Sequence, residues 1–204
     1  MSLRDCLTRL EKQGELVRVR REVDRRFELS AVAKKLDGGP AVLFENVRGF
    51  SMPVVVGTEG TKDRVAGNLG VKRHELIDHF ARAIGSPVPW TRVSDGPVKA
   101  KVIRPPFDIG TLLPVPHHYE KEPAPFITGG MVAARDPDSG VLNASYQRMQ
   151  VKSGTRCGMY IQFRHLMQIH QKNVAKGRPT EVAVICGMDT AVRLASATWG
   201  ANIP

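Results

Sequence analysis

The 204-residue chain carries 30 Lys and Arg against 20 Asp and Glu, a formal net charge of +10. That length suits one large domain or two small ones with a buried core, and 42% hydrophobic with 25% charged residues are the proportions of an ordinary globular protein. The positive balance favours anionic partners such as phosphorylated cofactors or carboxylates, whereas 6% aromatics excludes an extended base-stacking platform.

The N-terminus, Met1-Ser2-Leu3-Arg4-Asp5, lacks the apolar core of a signal peptide. Leu3, Leu7 and Leu10 have helical spacing, and Gly14 terminates that helix. Glu15 to Val23 alternates as a strand. Its tail, Arg18 to Arg26, is the densest charged run. Acids interrupt it, so it reads as a solvated strand face and turn, and no nucleic-acid partner is expected. Phe27 to Leu36 is a second helix. The strands Ala41 to Glu45 and Met52 to Gly57 are continuously apolar, as in strands covered on both faces. Apolar runs such as Pro53-Val54-Val55-Val56 are too short to span a bilayer. Thr61 caps a helix to Ala66, and Arg73 to Ile84 forms another.

Gly85 to Gly96 is a Pro-, Gly- and Ser-rich linker, and Val98 to Ile103 a strand that Pro105-Pro106 breaks. Beyond it the pattern becomes an antiparallel meander: Ile127 to Ala134, a turn at Asp136 to Gly140, one strand over Val141 to Val151, a turn at Ser153-Gly154, then Cys157 to Gln162. A helix over Arg164 to Lys176 and an apolar strand over Glu181 to Cys186 follow. The fold class is α+β, with an N-terminal domain over residues 1–105 and a second over 106–204.

Cys6, Cys157 and Cys186 form no CxxC pair, which argues against structural zinc or a disulfide framework. Free thiols suit a reducing compartment, so a cytoplasmic location is expected. Gly57-Thr58-Glu59-Gly60-Thr61-Lys62 has two residues between its glycines where a phosphate-binding P-loop needs four, and reads as a turn capping a helix. His165 and His170 lie five apart on the helix, about 140° around its axis at 3.6 residues per turn, so they do not share one ion. His170 reads as structural, and His117-His118 as a loop near a site mouth. Asn143 and Arg148 lie five apart on the expected strand. A regular strand points them to opposite faces, and a shared pocket needs a bulge or twist.

The segment Val141-Leu142-Asn143-Ala144-Ser145-Tyr146-Gln147-Arg148-Met149-Gln150-Val151, preceded by Ile127-Thr128-Gly129-Gly130, resembles the UbiD family of decarboxylases. Arg164-His165-Leu166-Met167-Gln168-Ile169-His170-Gln171 and Ala195-Ser196 follow at that family's spacing. Leu3-Arg4-Asp5, Gly14-Glu15-Leu16-Val17 and Gly39 to Val47 extend the likeness over the whole chain. The resemblance implies a split β-barrel flavin-binding domain, begun after residue 105. It also implies non-oxidative, reversible decarboxylation of an aromatic or α,β-unsaturated carboxylic acid with prenylated FMN, which a flavin prenyltransferase supplies. By similarity, Asn143 and His165 bind a divalent metal, Mn2+, and Ala195 and Ser196 offer backbone oxygens to K+. Arg148 faces the substrate carboxylate. Ser145, Tyr146, Gln147, Ile161, Gln162, Phe163, Leu166 and Met167 border the flavin.

The family chain is more than twice as long. Its third metal ligand, a glutamate, and its proton-shuttling acids lie beyond the position of Pro204. The expectation is therefore an N-terminal fragment or the partner of a C-terminal half, weakly active or inactive alone, in a family of oligomers. A non-catalytic flavin-binding accessory subunit is the alternative, and a basic nucleic-acid-binding module a more distant one.

Overall fold

The computed structural model describes residues 2–198. Helix α1 (Leu3–Lys12) starts on a reciprocal cap: the Ser2 hydroxyl accepts the Asp5 N–H at 3.2 Å, and the Asp5 carboxylate accepts the Ser2 N–H at 3.0 Å. Strand β1 (Leu16–Val19) leads through α2 (Glu28–Lys35) to β2 (Ala41–Phe44), which is parallel to β1; β3 (Val54–Val56) returns antiparallel to β2. Strand β2 is central and buried throughout. Val42 and Phe44 pack with Val23, Leu29 and Val47, while Ala41 packs with Cys6 and Leu10 of α1. Covering on both faces is why its sequence shows no alternation.

Helix α3 (Lys62–Leu69) takes its cap from Thr61, whose hydroxyl accepts the Arg64 N–H at 3.2 Å. A 3-10 turn leads into α4 (Leu76–Gly85). The strand expected over Val98 to Ile103 does not form. Pro97–Lys99 makes one 3-10 turn, and Val98 and Val102 are 88% and 64% exposed. Its alternation was sound locally, but no neighbouring strand pairs with it, and Pro97, Pro105 and Pro106 remove ladder donors at both ends.

After α5 (Ile109–Leu112), the strands divide between two three-stranded sheets. One holds β4 (Phe126–Ile127), β7 (Met149–Ser153) and β8 (Arg156–Met159) in the order β4-β7-β8. The other holds β5 (Met131–Arg135), β6 (Leu142–Tyr146) and β9 (Val182–Ile185) in the order β6-β5-β9. The single strand expected over Val141 to Val151 is thus two strands. The chain leaves one sheet at Tyr146 and joins the other at Met149. The apolar phase shifts across the step, from Leu142, Ala144 and Tyr146 to Met149 and Val151, with the consecutive polar residues Gln147 and Arg148 between them.

Helix α6 (His165–Ala175) packs Leu166 and Ile169 onto Val132, Ala134 and Met149. Helix α7 (Thr190–Ala197) joins the two halves through buried polar contacts. The Asn68 amide donates to Thr190 Oγ1 at 3.0 Å, Thr190 donates to Glu59 at 2.8 Å, and Arg193 donates to Glu59 at 2.7 Å. Among the described residues no helix is long and apolar enough to cross a membrane.

Candidate active site

A cavity of about 910 Å³ opens at the free edge of β6, between the two sheets, the start of α6 and the end of α7. Its volume lies within the range of cofactor pockets. Antiparallel pairing sets which side chains reach it. Asn143 and Ser145 stand opposite Ala134 and Val132, on the face that α6 covers. Tyr146 stands opposite Met131, on the face toward α7, where Ser196 Oγ donates to Met131 Sδ at 2.6 Å. The step out of strand geometry at Gln147 and Arg148 then brings Arg148 to the same cavity as Asn143. This is the twist that their odd spacing required.

Asn143, Ser145, Tyr146, Gln147, Arg148, Gln162, His165, Leu166 and Ser196 all line this space. Ile161, Phe163, Met167 and Ala195 do not. Ile161 packs on the Leu166 core, Phe163 is 75% exposed, Met167 is half-buried, and Ala195 lines a separate apolar cavity of about 640 Å³. His170 bonds Thr180 Oγ1 at 3.1 Å and braces α6 against the loop before β9.

Asn143 has a buried amide nitrogen with no hydrogen-bond partner. Leaving such a group unpaired costs about 1–3 kcal/mol. His165, the first residue of α6, is exposed to the cavity, and its ring makes no hydrogen bond among the described residues. The Asn143 nitrogen is a donor and suits an acceptor such as a phosphate oxygen, while the Asn143 amide oxygen and the His165 imidazole are a mixed O/N pair of the kind that suits manganese. No group of three His, Cys, Asp or Glu side chains that could hold a metal ion gathers among the described residues.

Arg148 has a different setting. Its guanidinium lies over the Phe126 ring at 4.9 Å, and Nη2 is 4.0 Å from Glu122 Oε1. Glu122 is itself fixed by the His118 N–H at 2.8 Å. Neither Glu122 nor Phe126 was marked by the sequence: Glu122 lies on the irregular approach to β4, and Phe126 begins that two-residue strand. Gln150 and Lys152 also line the cavity; they share the parity of Arg148 along β7, a signal that was available in the alternation. Burial raises the Tyr146 phenol above its ordinary value, against the pull of nearby Arg193, so it is a neutral donor at neutral pH. Among the described residues the lining contains Arg148, Lys152, Arg164 and His165 and no Asp or Glu. At its α7 end, the Ala195 carbonyl accepts the Thr198 N–H at 3.1 Å and keeps a second lone pair.

Two models of the 3-octaprenyl-4-hydroxybenzoate carboxy-lyase match the chain: its N-terminal domain over residues 7–84 and its Rift-related domain over residues 91–203. The chain belongs to the UbiD family. It is similar to the UbiD-class enzyme HmfF from Pelotomaculum thermopropionicum, solved in complex with FMN, with a TM-score of 0.96 and 40% identity over 100% of this chain and 46% of that one. An evolved dimeric form of HmfF, solved with prenylated FMN, gives a TM-score of 0.95 at 40% identity over 98% and 47%. Anhydromevalonate phosphate decarboxylase of Methanosarcina mazei is 35% identical over 97% of this chain and 45% of that protein. The chain thus spans less than half the length of the UbiD relatives it matches.

Proposed function

We propose that this chain forms the prenylated-FMN-binding wall of a UbiD-type enzyme that reversibly decarboxylates an aromatic or α,β-unsaturated carboxylic acid. The observation that carries this reading is the meeting, in one cavity, of an orphaned buried amide, an unpaired imidazole and an arginine held over an aromatic ring. The flavin-bound structures of HmfF and the decarboxylase name of the archaeal relative support it.

Loss of CO2 leaves an electron pair that no side chain here can accept, and bound prenylated FMN would supply that electron sink. Asn143 and His165 would hold Mn2+ at the cofactor phosphate. Carbonyls of Ala195 and Ser196 would serve K+ at the negative end of the α7 dipole. Ser145, already tied to Gln147 at 3.2 Å, would border the flavin with Tyr146, Gln147, Gln162 and Leu166. Ile161, Phe163 and Met167 would support that border from outside the lining. Arg148 would grip the substrate carboxylate with its planar fork, its position fixed by Phe126 and Glu122.

Among the described residues no Asp or Glu lines the cavity, so the acid that returns a proton, and a third metal ligand, would come from elsewhere in the protein or from a partner chain. This favours a chain that works with a C-terminal UbiD half over one that turns over alone. Co-expression with a flavin prenyltransferase tests the reading. The purified chain should retain modified flavin with manganese, by absorbance and mass, and Asn143→Ala should lose it. A wild-type chain that emerges without flavin, yet binds DNA with steep salt dependence, would overturn it.

A further inference from the structure

Among the described residues, Phe27 is the only one other than glycine with a positive φ; its φ is 67° and its ψ −45°. The Glu28 N–H donates across it to the Arg26 carbonyl at 2.8 Å, which makes a three-residue turn of the strained hand. A bulky side chain stays in such a conformation only where its surroundings over-determine it, and such residues gather at functional sites. Here those surroundings come largely from the second half of the chain. The Phe27 N–H donates to the His117 carbonyl at 2.9 Å, the His117 N–H donates to the Arg25 carbonyl at 3.1 Å, and the Phe27 and His117 rings pack with centroids 5.2 Å apart. Arg25 Nη1 also donates to the Val115 carbonyl at 3.0 Å, which pins the same segment just upstream.

His117 passes that placement on. Its Nε2 lies 2.9 Å from the Glu122 carbonyl, which can only accept, so Nε2 carries a proton and donates it. The His118 N–H donates to the Glu122 carboxylate at 2.8 Å. The backbone and the side chain of Glu122 are thus both held by the His117-His118 pair. That carboxylate is 9% exposed, and its Oε1 stands 4.0 Å from Arg148 Nη2. The contacts run unbroken from Phe27 through His117 and Glu122 to Arg148. A binding side chain keeps its aim only as well as the residues behind it are held.

We infer that His117 is a positioning residue for the substrate carboxylate: seated by the strained turn at Phe27, it holds Glu122, and Glu122 aims Arg148. This rests on the reading of Arg148 as the grip on that carboxylate.

The test is a calorimetric titration of benzoate into the 204-residue chain, loaded with FMN and manganese. His117→Phe keeps a ring against Phe27 and removes the bond to Glu122. It should weaken benzoate binding about fivefold, the worth of one hydrogen bond, with FMN affinity unchanged. His117→Gln, whose amide nitrogen can donate from the place of Nε2, should restore the wild-type value. Phe27→Gly relieves the strained turn but gives up the ring, and should show the same loss as His117→Phe. In an Arg148→Ala background nothing is left to aim, so His117→Phe should add no further loss. Unchanged benzoate affinity in His117→Phe or in Phe27→Gly overturns the inference. So does an equal loss in the Arg148→Ala background, or a parallel fall in FMN affinity, since either marks a general effect on the fold. A wild-type chain that binds FMN but no benzoate overturns the reading of Arg148, and the inference with it.

Discussion

Two asparagines in this chain have opposite fates. Asn68, on α3 at the joint with α7, is 5% exposed and uses its whole amide. Its oxygen accepts from Cys6 Sγ at 3.1 Å and Arg9 at 2.6 Å, and its nitrogen donates to the Thr58 carbonyl and to Thr190. Asn143, at the edge of β6, has a buried nitrogen bonded to nothing. An amide has two donor hydrogens and two acceptor lone pairs, so the first is saturated and the second is open. Saturation marks a group that holds the fold. An open buried group, in a cavity with a free imidazole and no acid, marks one held for a ligand.

Substitution should separate the two. Asn68→Ala removes four hydrogen bonds and leaves the Arg9 guanidinium and the Thr58 carbonyl short of partners. It should lower stability by about 3 kcal/mol, and Tm by roughly 10 °C for a chain of this size. Asn143→Ala strands no partner and should stay within about 1 kcal/mol of the wild type. Urea denaturation of both variants measures this. If Asn143→Ala proves the more damaging, the contrast between holding and waiting is wrong.

Manganese sharpens the same contrast. A metal at 100 times its Kd adds about 2.7 kcal/mol to the state that binds it. The wild type and Asn68→Ala should gain that amount, and Asn143→Ala should gain little. An equal rise in Tm for all three would place the metal elsewhere.

The sequence showed much of the first region and only part of the second. The α1 helix, the Thr61 cap and the central β2 strand follow from local pattern, because each is set by residues within one turn or one strand. The shared cavity did not. Alternation over Val141 to Val151 slips by one residue at Gln147-Arg148, but a bulge within one strand gives the same slip as a change of sheet, so the step could not be told from it. The motif likeness supplied Asn143, Arg148 and His165, whereas periodicity alone pointed the first two apart. Glu122 and Phe126 were missed because Glu122 lies outside any strand and Phe126 begins a strand of two residues, too short to show alternation; they matter through contacts with Arg148 that join positions distant in the sequence.

Arg148 lies between the two extremes, partly held by Phe126 and Glu122 yet 69% exposed as a side chain. Arg148→Ala should therefore cost less than about 1 kcal/mol of stability, since exposed ion pairs contribute little. It should weaken benzoate binding to the FMN-loaded chain about tenfold, a change of 1.4 kcal/mol. Arg148→Lys should recover only part of this, because an ammonium cannot bridge both carboxylate oxygens. Full recovery by lysine would mean that charge alone, and not the fork, holds the acid.

The smallest effect should come from the clamp behind the site. The Lys172 ammonium at 2.6 Å, helped by the N–H groups of Asp138 and Ser139, holds the Asp136 carboxyl well below its usual range. Asp136 in turn raises the Lys172 ammonium. The pair ties the β5–β6 turn to α6, whose first residue is His165. Because the folded Asp136 binds its proton less readily than the unfolded chain does, its contribution is complete above the ordinary value of 3.8 and is lost as pH falls below it. The Lys172 contribution runs the other way: it is present below 10.5 and lost only as pH rises past that value. Lys172 is 41% exposed, so solvent screens the pair and the effect is modest. Asp136→Asn should flatten the fall in urea midpoint between about pH 5 and pH 2.5, with manganese affinity at neutral pH nearly unchanged. If manganese affinity drops with the clamp, the turn and the metal site are one unit, and the division between a held region and an open one has to be drawn further back, at the end of α6.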